Sequence, residues 1–276
     1  MTTETEITPA MAARLLDDLT AIVARASAAI RELSPGSVAT REKADRSPVT
    51  AADETAEAMI LQELAQLLPA VPVVSEEQAA KQTPPQPGAS FILVDPLDGT
   101  REFLAGRDEF TVNVAIITRN APLAGVVAAP KRNLLWRGVV GKGAERLAIG
   151  ADGAPGTIKK IHTRPWPAHG AIAFVSRSHG APETDAFLAR LGPVARNVSG
   201  SSIKFCLLAE GSADVYPRLA PTSEWDVAAG HAVLAAAGGK VIRPDETPLA
   251  YGNAADRFRI PAFVAWADPA KAASII

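Results

Sequence analysis

Phe91-Ile92-Leu93-Val94-Asp95-Pro96-Leu97-Asp98-Gly99-Thr100 carries an apolar strand straight into two aspartates three positions apart. Pro96 fixes φ between them, and Gly99 lets the backbone turn tightly. Thr100 then opens a short helical stretch, Arg101–Leu104. Carboxylates at a strand end are well placed to share hard cations, which take oxygen ligands. The helix start just beyond offers N–H groups to a phosphate. The same residues also read as a plain turn in which Asp98 caps the helix.

Other acids surround this stretch in the sequence. Val71-Pro72-Val73-Val74-Ser75-Glu76-Glu77 is a second apolar strand ending in carboxylates, although such a pair is commonly solvated. Glu224-Trp225-Asp226 precedes a helical Val227–Ala237, where Asp226 is also a favoured N-cap type. In the helix expected over Ala52–Leu68, Asp53, Ala56, Ile60, Leu64 and Leu67 lie along one stripe. That stripe is apolar, so Asp53 projects toward the core, where a carboxylate is costly without a partner. A hydroxyl, a metal-held water or the N–H groups of the helix start would each serve.

The rest of the chain reads as alternating helices and strands. An alanine-rich amphipathic helix is expected from Pro9 to Leu33, and Gln82–Pro87 is a proline-rich surface loop. Strands follow at Phe91–Val94, Phe110–Ile117, Leu123–Ala129 and Leu134–Val140. In the second of these, Phe110, Val112, Val114 and Ile116 alternate with small or polar residues, the pattern of a half-buried strand. Gly150–Thr157 is a candidate joint between two sub-domains, residues 1–155 and 156–276. Beyond it, strands at Ala171–Val175, Lys240–Arg243 and Ala262–Ala267 accompany helices at Thr184–Leu191, Ser202–Glu210 and Asp226–Ala237. The fold class is α/β or α+β.

Composition narrows the partners. In 276 residues, 28 Lys and Arg face 30 Asp and Glu, a net charge of -2. Neither a nucleic-acid backbone nor an anionic membrane is favoured as the main partner by that balance. The single Cys206 excludes an internal disulfide or a multi-thiolate metal site, and it points to a reducing, cytoplasmic setting. It falls on the apolar side of its helix, as a buried, inert thiol would. No stretch reaches the roughly 20 apolar residues that span a bilayer; peripheral attachment to the cytoplasmic face of the inner membrane stays open. The four histidines, His162, His169, His179 and His231, show no metal-ligand spacing. His231 reads as a packed helix residue, and His179, after a strand end, reads as either a functional or an exposed imidazole. Lys204 and Arg218 supply the positive charge a second phosphate would need, or else pair at the surface.

Together these segments resemble the inositol-monophosphatase superfamily of metal-dependent, lithium-sensitive phosphatases. Its two signatures, D-P-[LI]-D-G-[ST] and W-D-x-[AS]-[AG]-G, fall on Asp95–Thr100 and Trp225–Gly230. Ser47–Asp53 and Ser75-Glu76-Glu77 precede them in the family's order, and the likeness runs from about residue 10 to 266. GTREFLAGRDEFTVNVAII, VSRSH, SGSSIKFCLLAEG, YPR and EWDVAAGHAVLAAAGG point to the superfamily's bacterial bisphosphate-nucleotidase branch. The resemblance implies a five-layer αβαβα sandwich and hydrolysis of 3'-phosphoadenosine 5'-phosphate to AMP and phosphate. It implies two or three Mg²⁺ ions held by Glu76, Asp95, Asp98, Asp226 and the Leu97 carbonyl, with inhibition by Li⁺. Asp53 and Thr100 match the pair that activates the attacking water, and the Gly99 and Thr100 amides match donors to the scissile phosphate. Ser178, His179, Ser201, Ser202, Lys204 and Arg218 match contacts to the nucleotide and its second phosphate. The loop Lys43–Arg46 resembles a mobile loop that helps hold a third metal. The partner is a small nucleotide bisphosphate; a homodimer is compatible with this reading. Inositol-1-phosphate or fructose-1,6-bisphosphate hydrolysis on the same fold is the alternative, and a nucleotide- and metal-binding regulator without turnover is the alternative of another class.

Overall fold

The computed structural model describes residues 5–33, 40–42, 48–177 and 182–273. Helix α1 (Pro9–Glu32) begins where its residues dictate: Thr8 is the N-cap, its hydroxyl accepting from the Met11 N–H, and Pro9 occupies the first turn. A short ribbon of β1 (Thr40–Glu42) and β2 (Pro48–Thr50) leads into α2 (Ala51–Leu67). Then follow β3 (Val73–Ser75), α3 (Glu76–Lys81), β4 (Ser90–Asp98), α4 (Thr100–Leu104), β5 (Thr111–Thr118), β6 (Ala121–Ala129), β7 (Leu134–Val139), β8 (Gly143–Ile149) and β9 (Pro155–Ile161). β3 to β9 form one seven-stranded sheet in that order, antiparallel except for the β3–β4 pair. The stretch around Gly150–Thr157 supplies the β8–β9 turn and the start of β9, both within this sheet.

The remaining elements are β10 (Ala171–Ser176), α5 (Pro182–Arg190), β11 (Val194–Ser199), α6 (Ile203–Ala209), β12 (Val215–Arg218), β13 (Thr222–Ser223), α7 (Glu224–Ala236), β14 (Lys240–Ile242), β15 (Arg259–Ile260), β16 (Phe263–Trp266) and α8 (Pro269–Ala272). Five of these strands make a second sheet, ordered β11-β10-β12-β16-β14. α1 and α2 cover one face of the large sheet, α6 and α7 fill the space between the sheets, and α5 and α8 pack outside the second. This is the five-layer αβαβα sandwich expected from the resemblance.

Side-chain alternation assigns the layers. On β4, Ile92 and Val94 join the core beneath α1 and α2, while Phe91 and Leu93 face the central helices. β5 departs from the half-buried strand its pattern suggests. Val112, Val114 and Ile116 pack under α1 and α2, but Ala115 and Ile117 on the other face are equally buried, as are the polar Thr111 and Asn113. Small residues on that face mark a helix in close approach, not solvent. At Gly125 on β6, a Cβ would lie 2.3 Å from the Ala229 carbonyl oxygen of α7. α7 is accordingly buried nearly all round, as a helix between two sheets must be.

Candidate active site

The strand carrying the two aspartates is longer than its apolar run. β4 continues to Asp98, with a register irregularity between Asp95 and Asp98 where the pairing to β5 shifts. Gly99 then takes φ 98°, which a side chain would strain, and its missing Cβ leaves room for the Glu109 carbonyl 3.2 Å away. Gly99, not Asp98, is the N-cap of α4. Asp98 instead accepts from the Ser202 N–H at 2.5 Å and from the Thr111 hydroxyl at 3.5 Å. Asp95 holds the bulge by accepting the Leu97 N–H at 3.0 Å.

Asp53 and Asp226 occupy equivalent local positions on two unrelated helices. Each is the third residue of a capping box, with Thr50 and Ser223 as the respective N-caps, so Asp226 is not itself the N-cap. One oxygen of each is spent locally: Asp53 Oδ2 accepts the Thr50 N–H and hydroxyl, and Asp226 Oδ2 accepts the Ser223 N–H and the Thr222 hydroxyl. The box fixes the side chain and leaves the second oxygen for the site. For Asp53 that oxygen meets the Thr100 hydroxyl at 3.0 Å. Of the three partners expected for Asp53, an N–H of the helix start and a hydroxyl are both present.

Glu76 opens α3 beside the β3–β4 pair. Sequence reasoning passed over the residue beneath it, Glu57, which is one turn beyond Asp53 on the same buried stripe of α2. Glu57 accepts from the Ser75 hydroxyl and from the N–H groups of Glu77 and Gln78, anchoring the start of α3. One carboxylate oxygen from each of Glu76, Asp95 and Asp226 lies within 4.8 Å of the others. Three all-oxygen donors at that spacing suit a hard divalent cation. Asp98 flanks them, its carboxyl pushed up first by burial and next by the Asp226 charge, with Lys204 opposing. Negative charge crowded in this way is what a bound cation would relieve. The residues present therefore fit a metal.

A cleft opens over this cluster between the two sheets. The large-sheet side contributes Glu76, Asp98, Gly99, Thr100, Arg101 and Glu102; the other side contributes Ser176, Gly200, Ser201, Phe205, Tyr216, Arg218 and Phe263, with Thr222 and Asp226 between them. Among the described residues, Arg218 is the cation lining the second-sheet wall, and its buried Nε has no hydrogen-bond partner. Ser201 lines the cleft with φ 46°, a left-handed backbone.

Two of the residues named from sequence, Ser202 and Lys204, do not line the cleft. Ser202 is buried, its hydroxyl donating to Asn113 Oδ1 at 2.7 Å and lying 2.8 Å from the Thr111 hydroxyl. Lys204 is also buried; its ammonium donates to the carbonyls of Ser199, Gly200 and Ser201 and sits 4.8 Å over the Tyr216 ring. Burial lowers its pKa, against the pull of Asp98. Ser178, His179 and the Lys43–Arg46 loop lie outside the described residues. Leu97 is buried, and its carbonyl is 3.3 Å from the Thr100 hydroxyl. His231 is packed against the Tyr251 hydroxyl at 2.9 Å, and Cys206 is buried with its thiol pushed well up by burial.

The chain matches the inositol monophosphatase family over residues 12–267. It belongs to that family. It is similar to the 3'(2'),5'-bisphosphate nucleotidase CysQ of Escherichia coli K12, with 41% identity over 86% of this chain and 94% of the relative. Among solved structures it is similar to CysQ from Bacteroides thetaiotaomicron, at 34% identity and TM-score 0.74, covering 91% of this chain and 97% of that one. Thermotoga maritima IMPase, at 20% identity and TM-score 0.75 over 95% of both chains, shares the fold.

Proposed function

We propose that this protein is a magnesium-dependent 3'(2'),5'-bisphosphate nucleotidase of the cytoplasm, inhibited by lithium. Its reaction would be 3'-phosphoadenosine 5'-phosphate to AMP and phosphate, serving sulfate assimilation and nucleotide recycling. One observation carries the reading: the Glu76–Asp95–Asp226 cluster, the Asp53–Thr100 pair and the buried-edge cation Arg218 converge on one cleft. An inositol phosphate offers a single dianion, whereas a cation on the second-sheet wall of the cleft, facing the turn that bears Thr100, suits a substrate with two phosphates.

Glu76, Asp95, Asp98 and Asp226, with the Leu97 carbonyl, would hold the Mg²⁺ ions. Bound there, the ions supply charge neutralisation for the phosphoryl oxygens and the leaving oxygen and lower the pKa of the attacking water. The protein's own part is proton handling and orientation. Asp53 Oδ1 holds the Thr100 hydroxyl hydrogen, so the Thr100 oxygen turns a lone pair outward to take a proton from water and pass its own to Asp53. No histidine is needed in that path. The Gly99 and Thr100 amides would face the phosphoryl oxygens. Arg218, with Ser201, Ser178 and His179, would bind the nucleotide and the second phosphate. Ser202 and Lys204 would act from beneath, the first on Asp98 and the second on the Ser199–Ser201 carbonyls.

The test is phosphate release with Mg²⁺ from 3'-phosphoadenosine 5'-phosphate, inositol 1-phosphate and fructose 1,6-bisphosphate, each with and without Li⁺. Fast, lithium-sensitive release from the nucleotide alone is expected. A preference for inositol phosphate would keep the carboxylate cluster and discard the nucleotide pocket. No release from any of the three would favour a binding protein without turnover.

A further inference from the structure

Two charged residues that do not line the cleft tie its two walls together. Glu109 lies in the segment between α4 and β5, on the large-sheet side, and is largely buried. Arg177 directly follows the end of β10 in the second sheet. Arg177 Nε donates to Glu109 Oε2 at 2.9 Å and Nη2 to Oε1 at 2.7 Å, a two-pronged pair. Glu109 Oε2 also accepts the Gly200 N–H at 3.0 Å. Gly200 sits flush against this wall: a Cβ there would lie 2.7 Å from Glu102 Cγ and 2.8 Å from the Glu109 carbonyl oxygen. The same Glu109 carbonyl bounds Gly99, so one residue touches both the turn that bears Thr100 and the loop that bears Ser201.

We propose that Glu109 and Arg177 form a specificity-determining latch. They hold Ser176 and the Gly200–Ser201 backbone at a set distance from the carboxylate cluster, and so fix the room for the part of the substrate remote from the scissile phosphate. Neither residue is catalytic; both act through the backbone they position. The assignment rests on the nucleotidase reading above. It gives the polar glutamate under the glycine loop a role: Glu109 accepts the Gly200 N–H, and the Arg177 fork sets its orientation.

The experiment compares wild type with E109Q, R177M and R177K in steady-state kinetics at saturating Mg²⁺, using 3'-phosphoadenosine 5'-phosphate and p-nitrophenyl phosphate. E109Q and R177M should raise KM for the nucleotide roughly tenfold, the size expected from losing one charge-assisted pair. Nucleotide kcat, the p-nitrophenyl phosphate kinetics and the Mg²⁺ activation constant should stay near wild type. R177K, which keeps the charge but not the fork, should recover part of the KM. A nucleotide preference left intact in folded E109Q and R177M overturns the latch alone. Equal losses on both substrates also overturn it, because they indicate a general structural role. A wild type without nucleotide preference overturns the nucleotidase reading and the latch with it.

Discussion

Replacing Asp53 with asparagine tests the proton path atom by atom. Among the described residues, three hydrogen bonds to Asp53 bear on this path: the Thr50 N–H at 2.8 Å and hydroxyl at 2.7 Å on Oδ2, and the Thr100 hydroxyl at 3.0 Å on Oδ1. Asparagine has one acceptor oxygen. Kept toward Thr50, it preserves two of the three bonds and the α2 capping box, and it turns the amide NH₂ toward Thr100. The Thr100 hydroxyl then faces a donor where it had an acceptor and cannot hand a proton on. General-base catalysis contributes about 10²–10⁴-fold, or about 3–5 kcal/mol at 1.36 kcal/mol per decade, and kcat should fall by that much. Stability should fall less, by about the 1.5–3 kcal/mol of one hydrogen bond to a charged group, because the cap survives. The assay is phosphate release at saturating substrate and Mg²⁺, with urea unfolding of the same preparations. T100V breaks the same path from its other end, so D53N/T100V should be no slower than the slower single variant. Losses that multiply in the double variant would refute the relay, as would a D53N kcat within about tenfold of wild type.

Two further outcomes follow from burial and packing. His231 is buried against Tyr251, and burial pushes its pKa down from 6.5 to about 3. It is neutral in the fold and protonates on unfolding, so its contribution is complete above about pH 6.5 and is lost as pH falls toward 3. Between pH 7 and pH 5 that loss is about 2 kcal/mol at 1.36 kcal/mol per unit. H231N, which cannot titrate, should show a urea stability that falls by that much less over the interval; parallel pH curves would remove the assignment. G125A places a methyl against the backbone of α7, where a Cβ would be 2.3 Å from the Ala229 carbonyl oxygen. Neither backbone can yield cheaply, so unfolding free energy should drop by at least the 1–3 kcal/mol typical of overpacking. A melting temperature unchanged from wild type would show that the helix shifts freely.

The parts of the site legible in the sequence are those set within a few residues of themselves. A strand running into Asp95 and Asp98, and acids near the starts of α2 and α7, can be recognised without knowing what they pack on. Even there the N-cap of α7 lies three residues before the Asp226 that the sequence favours, because Asp and Ser are both good N-caps, and only the backbone shows Asp53 and Asp226 at the third position of a box. What could not be read depends on pairing over long separations. Asn113 and Thr111 sit beside the Asp95 and Asp98 carboxylates because β5 pairs with β4 so that Asp95 faces Asn113 and Asp98 faces Thr111. The signal was present as two polar residues interrupting the inward face of an otherwise apolar strand, but taken alone it reads as the solvent side. Lys204 shows the same limit in reverse. Its charge suggested a phosphate contact, yet the chain reversal at Ser199–Ser201 brings three carbonyls onto its ammonium. A lysine serving a loop from within leaves Arg218 as the cation lining the second-sheet wall of the cleft among the described residues. Under the proposed function, the substrate's second phosphate would be read by the Arg218 guanidinium, whose fixed fork of donors discriminates geometry as well as charge.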